Sequence, residues 1–418
     1  MKIRTFWLAL ALLAVVRLVL MATMPVFDPS EARYAAISAN MARTGDYVVP
    51  HFTHNGRYQS FDGKPPLVFQ AGGACCRVLG TESPLALQLA VRLFPFASAA
   101  AILLILYLVV RRFSDAATGR LAVMITATSV AFYGASGIAM TDMTLTACVA
   151  GALLFYRCFL ERQAWWPAVG VAVLLGVGMM VKGPVAMVMF GLPVLADALV
   201  NRRWGGLFTW KWLAVLPAFL LVAVPWFVLI EQRNPGSVWY FFYNENFLRF
   251  VTPDYGDKYG AGREAFRGVA VLWAIVATLP WTLFVAWKRP FWRSFPFLSL
   301  LAITGFWCLT SRVLLYYLFP VIPLFAADLA IYGNRERLWR VSRWAVGLCV
   351  VAVSAGLVGT WLTTDKMEGV KAPPYFGYFN RYSHEFYHGT RPEARGEGVD
   401  PKFVFGEVMR AKAERGEK

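Results

Sequence analysis

The sequence predicts an all-α, polytopic membrane protein, and three observations carry that prediction. Of 418 residues, 58% are hydrophobic and only 16% charged, whereas soluble domains carry about 25% charged residues. Apolar runs of about 20 residues recur along the chain, the length a helix needs to cross a bilayer. Between the runs lie short basic turns: Arg111-Arg112, Glu161-Arg162, Arg202-Arg203, Lys288-Arg289 and Arg335-Glu336-Arg337. Clustered this way, the formal net charge of +16 reads as a topology signal and excludes a nucleic-acid partner. Bases at such turns also attract the headgroups of membrane lipids.

The positive-inside rule places these turns, with Lys2 and Arg4, in the cytoplasm. A first helix over about 6–24 then runs outward. It is long for a signal-peptide core and lacks a small-x-small cleavage site, so it reads as retained. Residues 25–66 form a first outer loop. Leu67–Leu79 is too short to span, contains Arg77 and ends at Gly80, which predicts an interfacial or re-entrant helix. Leu85–Val110 returns to the cytoplasm, and helical hairpins follow over about 120–160 and 164–201. A helix at about 212–230 leads into a second outer loop, 231–264. Helices near 266–287, 295–310, 313–332 and 341–362 complete about 11 spans in a transmembrane domain of residues 1–362. Residues 363–418 form a polar outer tail, short for an independent domain.

Polar chemistry concentrates in the first outer loop. Asp28-Pro29-Ser30-Glu31 fits a capped helix start, with proline in the first turn and glutamate reaching back. Tyr34, Ile37 and Met41 then form an apolar stripe, and Gly45 suits the C′ position. An amphipathic surface helix over about 29–44 follows. Capping alone accounts for Asp28 and Glu31, but the carboxylates also gather on one face of the membrane. Asp142, between two apolar helices, is either a cap or a functional acid, and Lys182-Gly183-Pro184 is a tight turn with one cation, which snorkelling also explains. Charges at the membrane edge are costly and usually functional.

The second outer loop, Trp239 to Phe250, is aromatic and amphipathic, with Glu245 and Arg249 as its acid and base. Most of it reads as an interfacial belt, and Arg249 is the residue best suited to a phosphate. His384-Glu385-Phe386-Tyr387-His388 matches the zinc-protease pattern, but the tail is too small for the folded domain such a site needs. His51 and His54 read as loop residues. The six cysteines lie almost all in apolar runs without metal-type spacing and read as small buried hydrophobes.

From Phe27 to about Ala330 the chain resembles the membrane-embedded glycosyltransferases that use polyprenyl-phosphate sugars. These are the lipid A aminoarabinose transferases and, more distantly, the protein O-mannosyltransferases. The resemblance rests on Glu31-Ala32-Arg33-Tyr34-Ala35, Gly45-Asp46, Val49-Pro50 and Phe61-Asp62-Gly63-Lys64-Pro65-Pro66. It continues through Thr141-Asp142-Met143, Val181-Lys182-Gly183-Pro184-Val185-Ala186, Pro225-Trp226 and Tyr240 to Phe250. Leu279-Pro280-Trp281 and Tyr317-Leu318-Phe319-Pro320 close the series. Each motif is weak, and their order and spacing together are specific.

The resemblance implies a GT-C fold with a catalytic carboxylate in the first outer loop, and an enzyme of the prokaryotic cytoplasmic membrane, active on its outer face. The reaction it implies is inverting transfer from a polyprenyl-phosphate sugar to a lipid, glycan or protein acceptor. Glu31, with Asp28 or Asp142, takes the general-base role; Glu31→Gln is then expected to abolish transfer while leaving insertion intact. Lys64 and Arg249, with Lys182, Arg312 and Tyr317, take the lipid phosphate, while Arg33 and Tyr34 hold the loop. Ser30 replaces the family's first acid, Gly63 is inserted before the lysine, and Asn246 stands where the family has histidine. No cofactor is certain, and a divalent metal would fall to Asp62 and Glu245. The rival class is a transporter or flippase of lipid-linked sugars, which needs charges in mid-helix; Arg92 and Arg157 are the few candidates.

Overall fold

The computed structural model describes residues 3–27, 29–54, 57–81, 83–252, 258–259, 264–285 and 291–367. Asp28, nearly all of the C-terminal tail and its His384–His388 motif lie outside these residues. Helix α1 (Ile3–Thr23) leads to α2 (Ser30–Thr44) in the first outer loop. As the pattern predicts, α2 ends at Gly45, whose φ of 74° places it in the left-handed region, with its N–H bonded to the Met41 carbonyl. A short antiparallel hairpin of β1 (His51–His54) and β2 (Arg57–Ser60) follows, an addition to the all-helical expectation. The amphipathic helix α3 (Leu67–Leu79) then packs beside α2 and the start of α4 (Pro84–Phe113). Thirteen residues rise only ~20 Å, so α3 is too short to cross a bilayer on its own.

The chain continues through α5 (Ala116–Ala127), α6 (Val130–Ala135), α7 (Thr141–Arg162), α8 (Trp165–Lys182) and α9 (Val185–Asn201). Next come α10 (Trp204–Leu207), α11 (Lys211–Ala223) and α12 (Pro225–Arg233). The second outer loop holds α13 (Ser237–Trp239), a π-helical stretch (Tyr240–Leu248) and α14 (Arg249–Val251). Beyond it lie α15 (Val269–Ala277), α16 (Phe295–Cys308), α17 (Val321–Tyr332) and α18 (Arg335–Met367).

Among the described residues, six helices are long and apolar enough to cross a membrane; five shorter apolar helices accompany them. Several expected spans are therefore broken. The predicted helix near 266–287 stops at Ala277, where the Thr278 hydroxyl donates to the Ala274 carbonyl and Pro280 removes a backbone donor. The break between α5 and α6 faces it. Val130 N–H donates to the Leu279 carbonyl at 3.2 Å, and Trp281 Nε1 donates to Thr128 Oγ1 at 3.2 Å. Irregular backbone inside a membrane protein survives only where protein satisfies it in this way. The core is built around α7, the most buried of the long helices, with α4, α5, α8, α9, α16 and α17 around it. A second apolar cluster seats α2, α3 and the hairpin on the outer end of α4.

Candidate active site

Two buried ion pairs and one cationic cluster lie where the outer loops meet the helix ends. In the first pair, Glu31 on α2 is 3% exposed. Arg92 of α4 donates to it twice, Nε to Oε1 at 2.8 Å and Nη2 to Oε2 at 3.1 Å. Backbone N–H groups of Ala139 and Phe27 donate to the same two oxygens, each at 3.0 Å. The remaining guanidinium donors of Arg92 go to the carbonyls of Met21, Met24 and Pro25. Every donor and acceptor site of the pair is filled. Burial works against the Glu31 carboxylate, yet Arg92 and the two amides hold its pKa below the ordinary value. The bond to Phe27 N–H falls one residue before the N-cap amide that a capping box would engage.

The second pair differs. Asp142 opens α7 and Lys182 closes α8, with Nζ 2.6 Å from Oδ1 and both side chains buried. Among the described residues, Oδ2 of Asp142 receives no hydrogen bond. The Tyr317 ring lies 4.0 Å from the ammonium, with Tyr316 at 5.8 Å. Gly183 (φ +79°) turns the chain directly after Lys182, and a β-carbon there would meet the Phe241 ring at 2.4 Å. Only glycine satisfies both the backbone and that close approach. Phe241 thereby seats the second loop on the α8–α9 turn.

Glu245, on the π-helical stretch, anchors the cluster. Its Oε2 lies 3.0 Å from Arg249 Nη1 and 3.6 Å from Lys64 Nζ, and the Tyr240 hydroxyl donates to its Oε1 at 3.3 Å. Burial lowers the Lys64 pKa to about 8; Glu245 opposes the shift, while Arg249, Lys182 and Arg33 add to it. These cations are thus within electrostatic reach of one another. Arg33 lies 5.4 Å from the rings of Tyr34 and Phe61, in an aromatic group completed by Phe52, Phe69 and Tyr259. Gly63, the inserted residue, packs where a β-carbon would meet Phe61 at 2.9 Å and Tyr259 at 3.2 Å. It lets the chain pass this group and present Lys64. Arg312 sits apart from these pairings, donating to Glu264 at 3.2 Å and to the Thr252 carbonyl.

Asp62 ties the two outer loops together, accepting from Asn234 and Ser237 and pairing with Lys258 at 3.2 Å. The residues assigned to a divalent metal, Asp62 and Glu245, are thus each enclosed by cations and hydroxyls. Among the described residues no group of three or more His, Cys, Asp or Glu could hold a metal ion. A dication does not fit beside Lys64 and Arg249, which would repel it. His51 Nδ1 donates locally to the Val49 carbonyl, and the ring stacks on Tyr58.

Residues 80–228 match the family described as dolichyl-phosphate-mannose-protein mannosyltransferase. The fold matches the crystal structure of ArnT from Cupriavidus metallidurans bound to undecaprenyl phosphate, with a TM-score of 0.67 at 22% identity over 88% of this chain and 65% of that one. The chain shares the fold of that membrane protein and is similar in sequence to the aminoarabinose transferases. Among curated relatives, the undecaprenyl phosphate-alpha-4-amino-4-deoxy-L-arabinose arabinosyl transferase of Pectobacterium atrosepticum is 28% identical over 80% of this chain and 62% of the relative. Its counterpart in Edwardsiella ictaluri is 30% identical over 54% of this chain and 40% of that protein. The chain therefore spans less than two thirds of the length of these relatives.

Sequence reasoning missed the partner of Glu31, because Arg92 reads as an isolated charge in an apolar helix. It also missed Glu245 as the bridge between Lys64 and Arg249.

Proposed function

We propose that this protein is a glycosyltransferase of the GT-C type that transfers a sugar from a polyprenyl-phosphate donor to a lipid, glycan or protein acceptor at the outer membrane face. The observation that carries the proposal is the convergence of Lys64, Arg249, Lys182 and Arg33 around two buried carboxylates at the outer ends of apolar helices. Such a site suits a lipid-borne phosphate, and the names of the relatives point to the same donor class.

In the proposed step, the acceptor oxygen attacks the anomeric carbon as the bond to the phosphate oxygen breaks. The electron pair leaves on the polyprenyl phosphate, where Lys64 and Arg249 stabilise the charge. The acceptor proton passes to Asp142, whose Oδ2 is open, while Lys182 holds Oδ1. A single displacement inverts the anomeric centre. Glu31 is assigned a positioning role: Arg92 and the two backbone amides engage its oxygens fully, and through them it fixes the segment leading to Asp142. Arg33 and Tyr34 brace the loop, Tyr317 backs Lys182, and Arg312 steadies the second loop.

Proteoliposomes carrying candidate undecaprenyl-phosphate sugars test the proposal, with mass spectrometry of the acceptor and of released undecaprenyl phosphate. Transfer by the wild type and none by Asp142→Asn is the expected result. Movement of the donor between leaflets without release of free undecaprenyl phosphate would instead identify a flippase.

A further inference from the structure

A cavity of about 480 Å³ lies between α1, α4, α5 and α6. That is the size of a small-molecule pocket, roughly 300–1,000 Å³, but its walls are those of a lipid groove. Phe6, Leu13, Leu103 and Phe132 line its interior, and Trp7 and Leu104, both more than half exposed, open it sideways to the bilayer. Along α1 it extends from Ile3 to Arg17, ~21 Å of helix rise.

An arginine stands at each end. At the outer end Arg17, 3% exposed, donates to the carbonyls of Ser136 and Gly134, and among the described residues no carboxylate lies within ion-pair distance of it. At the end the positive-inside rule assigns to the cytoplasm, Arg120 lines the cavity with its Nε buried and without a hydrogen-bond partner. Two more cations sit near this mouth. Arg111 lies 5.6 Å from the ring of Tyr107, itself a lining residue, and Arg4 is exposed in the first turn of α1. Neither makes an ion pair among the described residues.

We infer that this groove binds an anionic phospholipid, with an acyl chain along α1 and α4 and its phosphate at Arg120. An apolar channel of acyl-chain length, ending in a buried guanidinium donor and flanked by unpaired cations, is complementary to one negative headgroup on an apolar tail. A zwitterionic lipid would fill the channel but compensate the cations less. The occupant braces α1 against α6 and, through Arg17, the turn Ser136–Met140. Ala139 of that turn holds Glu31, and Asp142 follows it, so the lipid supports the catalytic face from behind.

Native mass spectrometry of the full chain tests this, after detergent exchange in equimolar phosphatidylglycerol and phosphatidylethanolamine. The wild type should retain one phosphatidylglycerol in preference. Arg120→Ala should reduce that preference about five-fold, Arg120→Lys should restore most of it, and Ala14→Phe with Ala100→Phe should expel the lipid by filling the groove. Equal retention of the two lipids by the wild type, or unchanged preference in Arg120→Ala, overturns the inference. So does undecaprenyl phosphate displacing phosphatidylglycerol in a competition arm, which would make the occupant a polyprenyl lipid. Should the filled variant not fold, the Arg120 pair decides alone.

Discussion

Glu31–Arg92 and Asp142–Lys182 are both buried ion pairs at the outer helix ends, joined to one another through the turn at Ala139. They differ in how much of their hydrogen-bonding capacity is spent. Arg92 uses all its donors and Glu31 all its acceptor positions. Among the described residues Asp142 keeps one oxygen open, and Lys182 has that partner and the rings of Tyr316 and Tyr317. A saturated pair has nothing left for a substrate and serves to fix the chain. An unsaturated pair holds a charge in place while leaving it usable. The difference teaches that two buried ion pairs with the same charges can differ in the lone pairs they leave free, which is the ground on which Asp142 rather than Glu31 is proposed as the base.

Matched isosteric substitutions break or sharpen that contrast. Asp142→Asn should lower sugar transfer by about 10²–10⁴-fold with a small change in thermal stability, since the amide oxygen still accepts from Lys182. Initial rates and melting temperature measured on one preparation check this. Arg92→Ala should do the reverse, costing about 3–5 kcal/mol of stability because it strands a buried carboxylate; denaturant midpoints in detergent read it. Glu31→Gln should fall between, with reduced stability and measurable residual transfer. A Glu31→Gln protein of wild-type stability and no activity would return the base to Glu31.

Smaller effects concern the phosphate seat. Lys64→Met should raise the donor KM by about 10–100-fold, more than it lowers kcat. Because burial sets the Lys64 pKa to about 8, the free site loses that proton as pH rises through this value. Donor affinity should then fall by up to about ten-fold per pH unit, and the Lys64→Met variant should lose that limb of its profile. Glu31 titrates the opposite way. Its contribution to stability is fully present above the ordinary carboxyl value and is lost only as pH falls through its lower folded value. Smallest of all, Gly63→Ala should cost about 1–3 kcal/mol through overpacking against Phe61, with a matching shift in melting temperature.

Much of this was legible in the chain. The α2 helix and its Gly45 stop follow from capping chemistry that acts within a few residues. Leu67–Leu79 was legible as a short apolar helix with the bounds the structure shows. The broken spans near Thr128 and Thr278 were not, because each break is satisfied by the other across 150 residues. Periodicity cannot register such a pairing. Arg92 illustrates the same limit: as sequence it is a charge in an apolar helix, and its partner comes from a separate loop.

By itself, then, the sequence determined the membrane class, the extent of the α2 helix though not its burial on nearly every face, the loops that carry the polar residues and the cations suited to a phosphate. These follow from hydropathy, capping and charge placement, all local properties. Only the tertiary structure decided which carboxylate is spent and which is open, that Glu245 draws Lys64 and Arg249 together, and that Gly63 is a packing requirement. Those outcomes depend on distances between residues far apart in the chain, and the free energy of a buried charge is set by its neighbours rather than by its own identity.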